Sequence, residues 1–232
     1  VAITKSVPLL TRAVALVLAV AVGLLMCPSA ASAAEAKAIR VTSSNLITDP
    51  STGQPTVVLS LYEDALCPYC RKFEQTFGAT VDKLIDTGAV AADYRMVAIL
   101  DRPGRDYSSR AGAAAYCVAD QSIDAFRRFK AALYAHQPAE NAPSFPDNAA
   151  LINTARQAGA GDAAADCINN DTYTAMVAGM ADATNVTVTP TVRINGQDYE
   201  LSTPDALVAK IKEIVGPVAG IDAPAPSPTR ST

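Results

Sequence analysis

Positive charge is in short supply in this chain. Lys and Arg number 19 against 23 Asp and Glu, a formal net charge of −4. No basic surplus is available to meet a phosphate backbone, which excludes nucleic-acid binding as the function class. The 232 residues include no Trp and a single His. His136 sits alone in "YAHQP", so a metal cluster built on His has nothing to build on. Long apolar runs are missing too. The uncharged stretch Ala13–Met26 is about fourteen residues, short of the roughly 20 that a spanning helix needs. There is no internal repeat. What is present is a half-hydrophobic chain of a length that fits one domain carrying an insertion.

The N-terminus has the layout of an export signal. Lys5 and Arg12 precede the apolar run, and "CPSAASAA" follows it with small residues. Ala31-Ser32-Ala33 fits an A-x-A cleavage site. Residues 1–33 are therefore predicted to be a signal peptide, or an N-terminal membrane anchor if the uncharged stretch through Ala34 is retained. Either way the chain is expected to be exported, to the periplasm or cell envelope, secreted or anchored. Met26 stands before Cys27 where lipoprotein signals want a small residue, which argues against lipid attachment. Loss of the leader would remove Lys5 and Arg12 and take the net charge to −6. It would also leave Cys67, Cys70, Cys117 and Cys167, an even set in a compartment that permits disulfides.

Residues 34–55 read as a polar linker with a turn signal, "TDPSTGQP", and a short strand around residues 39–42. "TVVLSLY" (56–62) is β-branched and apolar, the pattern of a buried strand. A helix is predicted from Pro68, with Phe73, Phe77, Val81, Leu84 and Ile85 at spacings of three and four and Gly88 as its stop. "AVAADYRMVAIL" (89–100) is a second strand, giving the start of a parallel βαβ unit. From about 108 to 184 the periods are helical, punctuated by Pro138, Pro143 and Pro146. "VTVTPTVRINGQDYEL" (186–201) returns to β, with Asn195-Gly196 as a hairpin turn. A last helix opens at Thr203-Pro204, and residues 217–232 read as a disordered Pro/Ala/Ser tail. The fold class is α/β: a thioredoxin fold over residues 56–216, with a helical insertion between its βαβ and ββα halves.

The stretch "LSLYEDALCPYCRKFEQTFG" carries the chemistry. A strand runs into C-P-Y-C at the start of a helix, placing Cys67 at the helix N-terminus with Pro68 in the first turn. Amide groups and the helix dipole there favour a thiolate. Arg71, one turn further on, is expected to add to the effect. Cys70 is the expected resolving thiol. A zinc site would need two more ligands, which Cys117, Cys167 and His136 do not supply in a suitable spacing. An inert 67–70 bridge would close too short a loop to remove much chain entropy. The redox reading is therefore preferred. Cys117 and Cys167 are read as a structural bridge across the insertion, with a second redox centre or two buried free thiols as the alternatives.

With those residues in view, the chain resembles the DsbA-like thiol–disulfide oxidoreductases of the thioredoxin superfamily, in particular the exported mycobacterial DsbA proteins. "CPYCRKFE" carries the likeness, with Cys67 and Cys70 as the active pair and Glu74 where these proteins often have Glu. "VTPTV" is the second match, with Pro190 at the position of the superfamily's cis proline. The resemblance implies that Thr189 and Pro190 flank the active pair and hold an extended substrate segment. It agrees with a Cys117–Cys167 bridge. It implies reduced, unfolded exported proteins as substrates and a vitamin K epoxide reductase homologue as membrane reoxidant. No cofactor, no metal and no nucleic-acid partner are implied, and a monomer is expected.

Two positions depart from the family pattern, and the motif itself has a second reading. Tyr69 stands where strongly oxidising relatives have His. Leu61 stands where many relatives carry a buried acid, leaving Glu63 and Asp64 as the nearby acids, to be weighed against a reading in which they are solvated loop residues. C-P-Y-C is also a glutaredoxin sequence, against which the leader and the insertion argue. The leading expectation is an exported enzyme that introduces disulfides through Cys67 and Cys70. The alternatives are an isomerase or reductase of the same fold, and a thioredoxin-like holdase whose substrate binding needs no redox chemistry.

Overall fold

The computed structural model describes residues 37–221. The predicted leader lies outside the described residues, as does most of the predicted tail. Within the described part, Ile221 is buried against the core, so packed chain continues past Gly216.

A mixed five-stranded sheet forms the centre, in the order β1 (Ile39–Val41), β3 (Ala91–Val97), β2 (Val58–Asp64), β4 (Thr191–Ile194), β5 (Gln197–Asp198). Strands β2 and β3 are parallel, and the other pairings are antiparallel. β2 is central and closed in on both faces, which explains why its sequence runs apolar without strict alternation. It extends two residues beyond the predicted end. Glu63 and Asp64 pair in register with Met96 and Val97, so both acids belong to the strand and are buried. The reading of these acids as solvated loop residues is therefore corrected: parallel pairing with β3 carries the strand past Tyr62.

Helix α1 (Pro68–Asp86) follows at once and buries Phe73, Phe77, Val81, Leu84 and Ile85 on the predicted stripe. Cys67 is its N-cap, with φ −72° and ψ 119°, and Pro68 takes the first position. Its far end turns at Gly88, where φ is +77° and a Cβ would meet the Asn45 carbonyl oxygen at 2.1 Å. Only glycine fits there.

Five helices make the insertion: α2 (Tyr107–Ala119), α3 (Ile123–Ala135), α4 (Asn148–Gln157), α5 (Asp162–Asn169) and α6 (Thr174–Thr184). α2 is buried almost throughout. Its run of Ala and Gly is what lets α3, α5 and α6 pack closely around it. At Gly112 a Cβ would come within 2.7 Å of Val177 on α6. Cys117 on α2 and Cys167 on α5 form a disulfide, with their Cα atoms 5.7 Å apart. The final helix, α7 (Pro204–Val215), is capped by the Thr203 hydroxyl, which accepts from the Ala206 N–H at 3.1 Å, and packs beside α1.

The predicted β segment 186–201 is strand only over Thr191–Ile194 and Gln197–Asp198. Asn185 takes a left-handed conformation to close α6, and Pro190 has no N–H to offer a ladder. Residues 186–190 therefore pass as a loop beside the start of α1. The hairpin turn lies at Asn195-Gly196, both at positive φ, as that dipeptide favours.

Candidate active site

The loop 65–67 joins the end of β2 to the start of α1 and is held from three sides. The Cys67 N–H donates to the Asp64 carbonyl at 3.0 Å. The Asp64 carboxylate accepts from the Leu66 N–H at 2.8 Å, the Leu100 N–H at 2.9 Å and the Ser108 hydroxyl at 2.6 Å. From the insertion, the Gln137 side chain donates to the carbonyls of Ala65 and Cys67 at 3.0 and 2.9 Å. Strand, insertion and helix thus fix one turn together.

Cys67 and Cys70 are both free thiols, buried against Tyr134 and Leu100. Their chemistry is opposite. The Cys67 pKa falls from 9.0 to about 6. The Cys70 thiol is the largest cause, outweighing burial, followed by Thr189 and the backbone N–H groups of Cys70 and Tyr69 at the helix start. Arg71 is not among the leading causes, and its side chain is exposed. The Cys70 thiol is pushed far up instead, by burial first and then by Cys67 and Glu63. The Asp64 N–H lies 3.4 Å from the Cys70 sulfur. One thiol of the pair therefore ionises easily and the other resists ionisation.

The second predicted element arrives from the other half of the fold. The Thr189–Pro190 peptide is cis, and the Cys67 thiol donates to the Thr189 carbonyl at 3.4 Å. Val188, next in line, is 67 % exposed, and Tyr69 on the helix start is 72 % exposed. Both are large apolar side chains left open to solvent, Tyr69 two residues after Cys67 and Val188 one before Thr189 in the chain.

Two acids lie beneath the pair. Burial lifts the Asp64 pKa to about 6, against the hydrogen bond from Ser108 and those from Leu66 and Leu100. Burial also raises Glu63, opposed by the Lys130 ammonium and reinforced by Glu74. Neither Glu63 carboxylate oxygen has a hydrogen-bond partner among the described residues, nor does the Tyr134 hydroxyl. The Lys130 Nζ stands 4.0 Å from Glu63 Oε1 and makes a short ion pair with Glu74. Burial pushes the Lys130 pKa down, but Glu63, Tyr94 and Glu74 together outweigh it and raise it, so the lysine stays charged. Glu74 thus bears on Glu63 both directly and as the ion-pair partner of Lys130.

Lys130, Tyr134, Ser108 and Gln137 were not anticipated. Lys130 left a trace in the sequence: it lies four residues after Phe126 and four before Tyr134, on the apolar stripe of α3. A lysine on such a stripe needs a buried partner. Ser108 and Gln137 left none, because their partners lie 44 and 70 or 72 residues away.

Comparison with known proteins agrees with this geometry. A family model described as Thioredoxin matches residues 47–213. The oxidised DsbA crystal structure from Mycobacterium tuberculosis is 62 % identical, with a TM-score of 0.78 over 80 % of this chain and 96 % of that one. The reduced disulfide bond oxidoreductase DsbG of the same organism is 58 % identical, with a TM-score of 0.78 over 86 % of this chain and 99 % of that one. The serine/threonine-protein kinase PknE of Mycobacterium tuberculosis is 30 % identical over 142 residues, 59 % of this chain. The chain spans about a quarter of the length of the curated relatives it matches. The chain belongs to the thioredoxin family and, within it, to the DsbA-type thiol–disulfide oxidoreductases.

Proposed function

We propose that the chain is an exported oxidase that introduces disulfides into reduced, unfolded cell-envelope or secreted proteins through Cys67 and Cys70. The observation that carries this reading is the placement of two free thiols at one helix start, with Cys67 as its N-cap and 3.4 Å from the Thr189 carbonyl beside cis Pro190, and Cys70 buried behind it. This placement favours a thiolate at Cys67 and opposes one at Cys70. A stabilised Cys67 thiolate favours the reduced enzyme and so makes its disulfide the better oxidant.

In the oxidised enzyme a substrate thiolate attacks the Cys67 sulfur. The Cys67–Cys70 bond breaks, a mixed disulfide forms at Cys67, and Cys70 leaves with the electron pair. As a thiolate Cys70 is a poor leaving group here, so it takes a proton, relayed through one of the two buried carboxyls, Glu63 or Asp64, that burial raises. The substrate's second thiolate then attacks its partner sulfur in the mixed disulfide. Cys67 leaves as a thiolate, readily, because its pKa is low. Two electrons have moved from the substrate thiols to the enzyme pair, which a membrane reoxidant of the vitamin K epoxide reductase type then removes.

Thr189 and Pro190 are assigned to the substrate strand beside Cys67, Pro68 and Tyr69 to the rim of the site, and Cys117–Cys167 to holding the insertion. Export rests on residues 1–33. Among the described residues no helix is long and apolar enough to cross a membrane.

The test mixes oxidised protein with a reduced, unfolded disulfide protein and follows loss of free thiols. The parent oxidises the substrate stoichiometrically, and Cys67→Ser does not. Equal rates for the two would overturn the mechanism.

A further inference from the structure

Two open cavities flank the loop that carries Cys67. One, of about 420 Å³, is lined by Leu66, Leu100, Arg102, Arg105, Glu140 and Asn141. The other, of about 500 Å³, is walled by Pro68, Arg71 and Lys72 on α1 and by the segment Gln137–Glu140. They share Glu140. Leu66 and Pro68, the two neighbours of Cys67 in the chain, form one wall of each.

The charge in these linings runs against the rest of the molecule. The chain is acidic overall, yet the cavities hold four cations and one carboxylate. Elsewhere the basic side chains are largely neutralised: Lys37, Arg40, Arg110, Arg127 and Arg193 each meet an Asp within 3.0 Å. Arg71, Lys72, Arg102 and Arg105 have no carboxylate within ion-pair distance among the described residues. The acids adjoining the two arginines in sequence are already used: Asp101 accepts from the N–H groups of Ser108 and Ser109 at 2.8 and 3.1 Å, and Asp106 pairs with Arg110 at 3.0 Å.

The two arginines are also held in place. Arg102 and Arg105 exchange backbone hydrogen bonds at 3.0 and 2.8 Å across the Pro103-Gly104 turn. Arg102 Nη1 donates to the carbonyls of Ile99 and Asp101 at 2.9 and 2.7 Å. Arg105 Nη2 donates to those of Glu140 and Ala142 at 3.1 and 2.9 Å, and its guanidinium lies 4.8 Å from the Phe145 ring centre. Each keeps unused donors on its other nitrogens. Cations fixed by carbonyls and by a ring, without a carboxylate partner, are ready for one from outside.

We propose that the active-site face selects acidic polypeptide: extended, cysteine-bearing segments with Asp or Glu a few residues from the reactive cysteine. Arg102 and Arg105 receive carboxylates on the Leu66 side of Cys67, and Arg71 and Lys72 receive them on the Pro68 side. This rests on the reading of Cys67 as the sulfur that meets substrate.

The test uses dithiol peptides of one length with acidic, neutral or basic flanks. Their oxidation by the full oxidised chain is followed as second-order rate constants. The same peptides with Ser for Cys are titrated for binding. The acidic peptide is expected to react about tenfold faster than the neutral one at low salt, the basic one slower, with the ratio approaching one near 0.5 M salt. Arg102→Gln and Arg105→Gln each lower the acidic-to-neutral ratio about threefold. Lys83→Gln, which removes an equal charge at the far end of α1, leaves that ratio in place. A ratio near one in the parent, or a ratio that survives both arginine substitutions, overturns the proposal. If no dithiol peptide is oxidised while the Ser peptides still bind in the order acidic, neutral, basic, the redox reading fails and the acidic preference stands.

Discussion

Lys130 reaches across from the insertion to stand 4.0 Å from a carboxylate oxygen of Glu63 on the central strand, beneath the helix that carries Cys67 and Cys70. Both residues are buried, and among the described residues neither Glu63 oxygen has a hydrogen bond. An ion pair in this setting contributes little net stability over an apolar pair, but losing one partner leaves a charge stranded. Lys130→Met is therefore expected to destabilise the fold by about 3–5 kcal/mol at pH 7. Glu63→Gln added to it should recover part of the loss, because Glu74 still lacks its Lys130 partner. The sign with pH follows from Glu63, whose carboxyl burial already raises. Without Lys130 it rises further, so the neutral form is reached at higher pH and the deficit shrinks as pH falls. Denaturant unfolding at pH 5 and pH 7 measures this, and a deficit that does not depend on pH would mean Glu63 is not the stranded group.

Cys67 makes the reduced protein more stable as pH rises. Its thiol titrates at 9.0 ordinarily and at about 6 in the folded chain. A depressed pKa contributes stability in full above the unfolded value, and the contribution is lost as pH falls through the folded one. The stability of the reduced parent relative to Cys67→Ser should therefore grow between pH 6 and 9. Thiolate absorbance at 240 nm should show a single midpoint near pH 6 in the parent and none below pH 9 in Cys67→Ser. Because the Cys70 thiol is the largest cause of the shift, Cys70→Ala should move that midpoint upward. A midpoint that stays in place would assign the effect to the helix start alone.

How much of this was legible beforehand differs by the range of the interactions. The strand, turn and helix around Cys67 come from neighbours in sequence, and the pattern of β2, Pro68 and the Phe73–Phe77–Val81 stripe is enough to find them. The parallel pairing of β2 with β3 and the hairpin at Asn195-Gly196 also follow local rules. The ends of β2 did not, because a strand's length is set by its partner: Met96 and Val97 carry Glu63 and Asp64 into the sheet. The environment of the pair was least legible. Arg71 is near Cys67 in sequence, yet the leading causes of the lowered thiol are short-range groups around the sulfur, the Cys70 thiol first. Ser108, Lys130 and Gln137 are far away in sequence and touch the site only because the insertion folds back over it.

The insertion has its own staple. Cys117 and Cys167 are 50 residues apart and tie α2 to α5. In the chain-entropy model a loop of that length contributes about 4 kcal/mol. The double substitution Cys117→Ser/Cys167→Ser should lower stability by a substantial part of that amount, read as a fall in denaturation midpoint. Reductant should have the same effect on the parent and none on the double variant. A double variant as stable as the parent would show that α2 and α5 hold together through their packing alone.

Gln137 gives the sharpest single test of how the insertion governs the active turn. Its amide donates to the carbonyls of Ala65 and Cys67, on either side of Leu66. Gln137→Leu keeps similar bulk but leaves both carbonyls without that donor, at a cost of about 1–3 kcal/mol for each that stays dry. Gln137→Asn keeps the amide but is one methylene short, so it should rescue only in part. A role limited to stability would lower the unfolding midpoint and leave the thiol chemistry alone. If instead Gln137 holds the turn that presents Cys67 to its donors, Gln137→Leu should also raise the 240 nm midpoint above the parent's value near pH 6. It should slow thiol–disulfide exchange in parallel. Unchanged thiolate titration in a destabilised Gln137→Leu protein would confine this residue to a structural role.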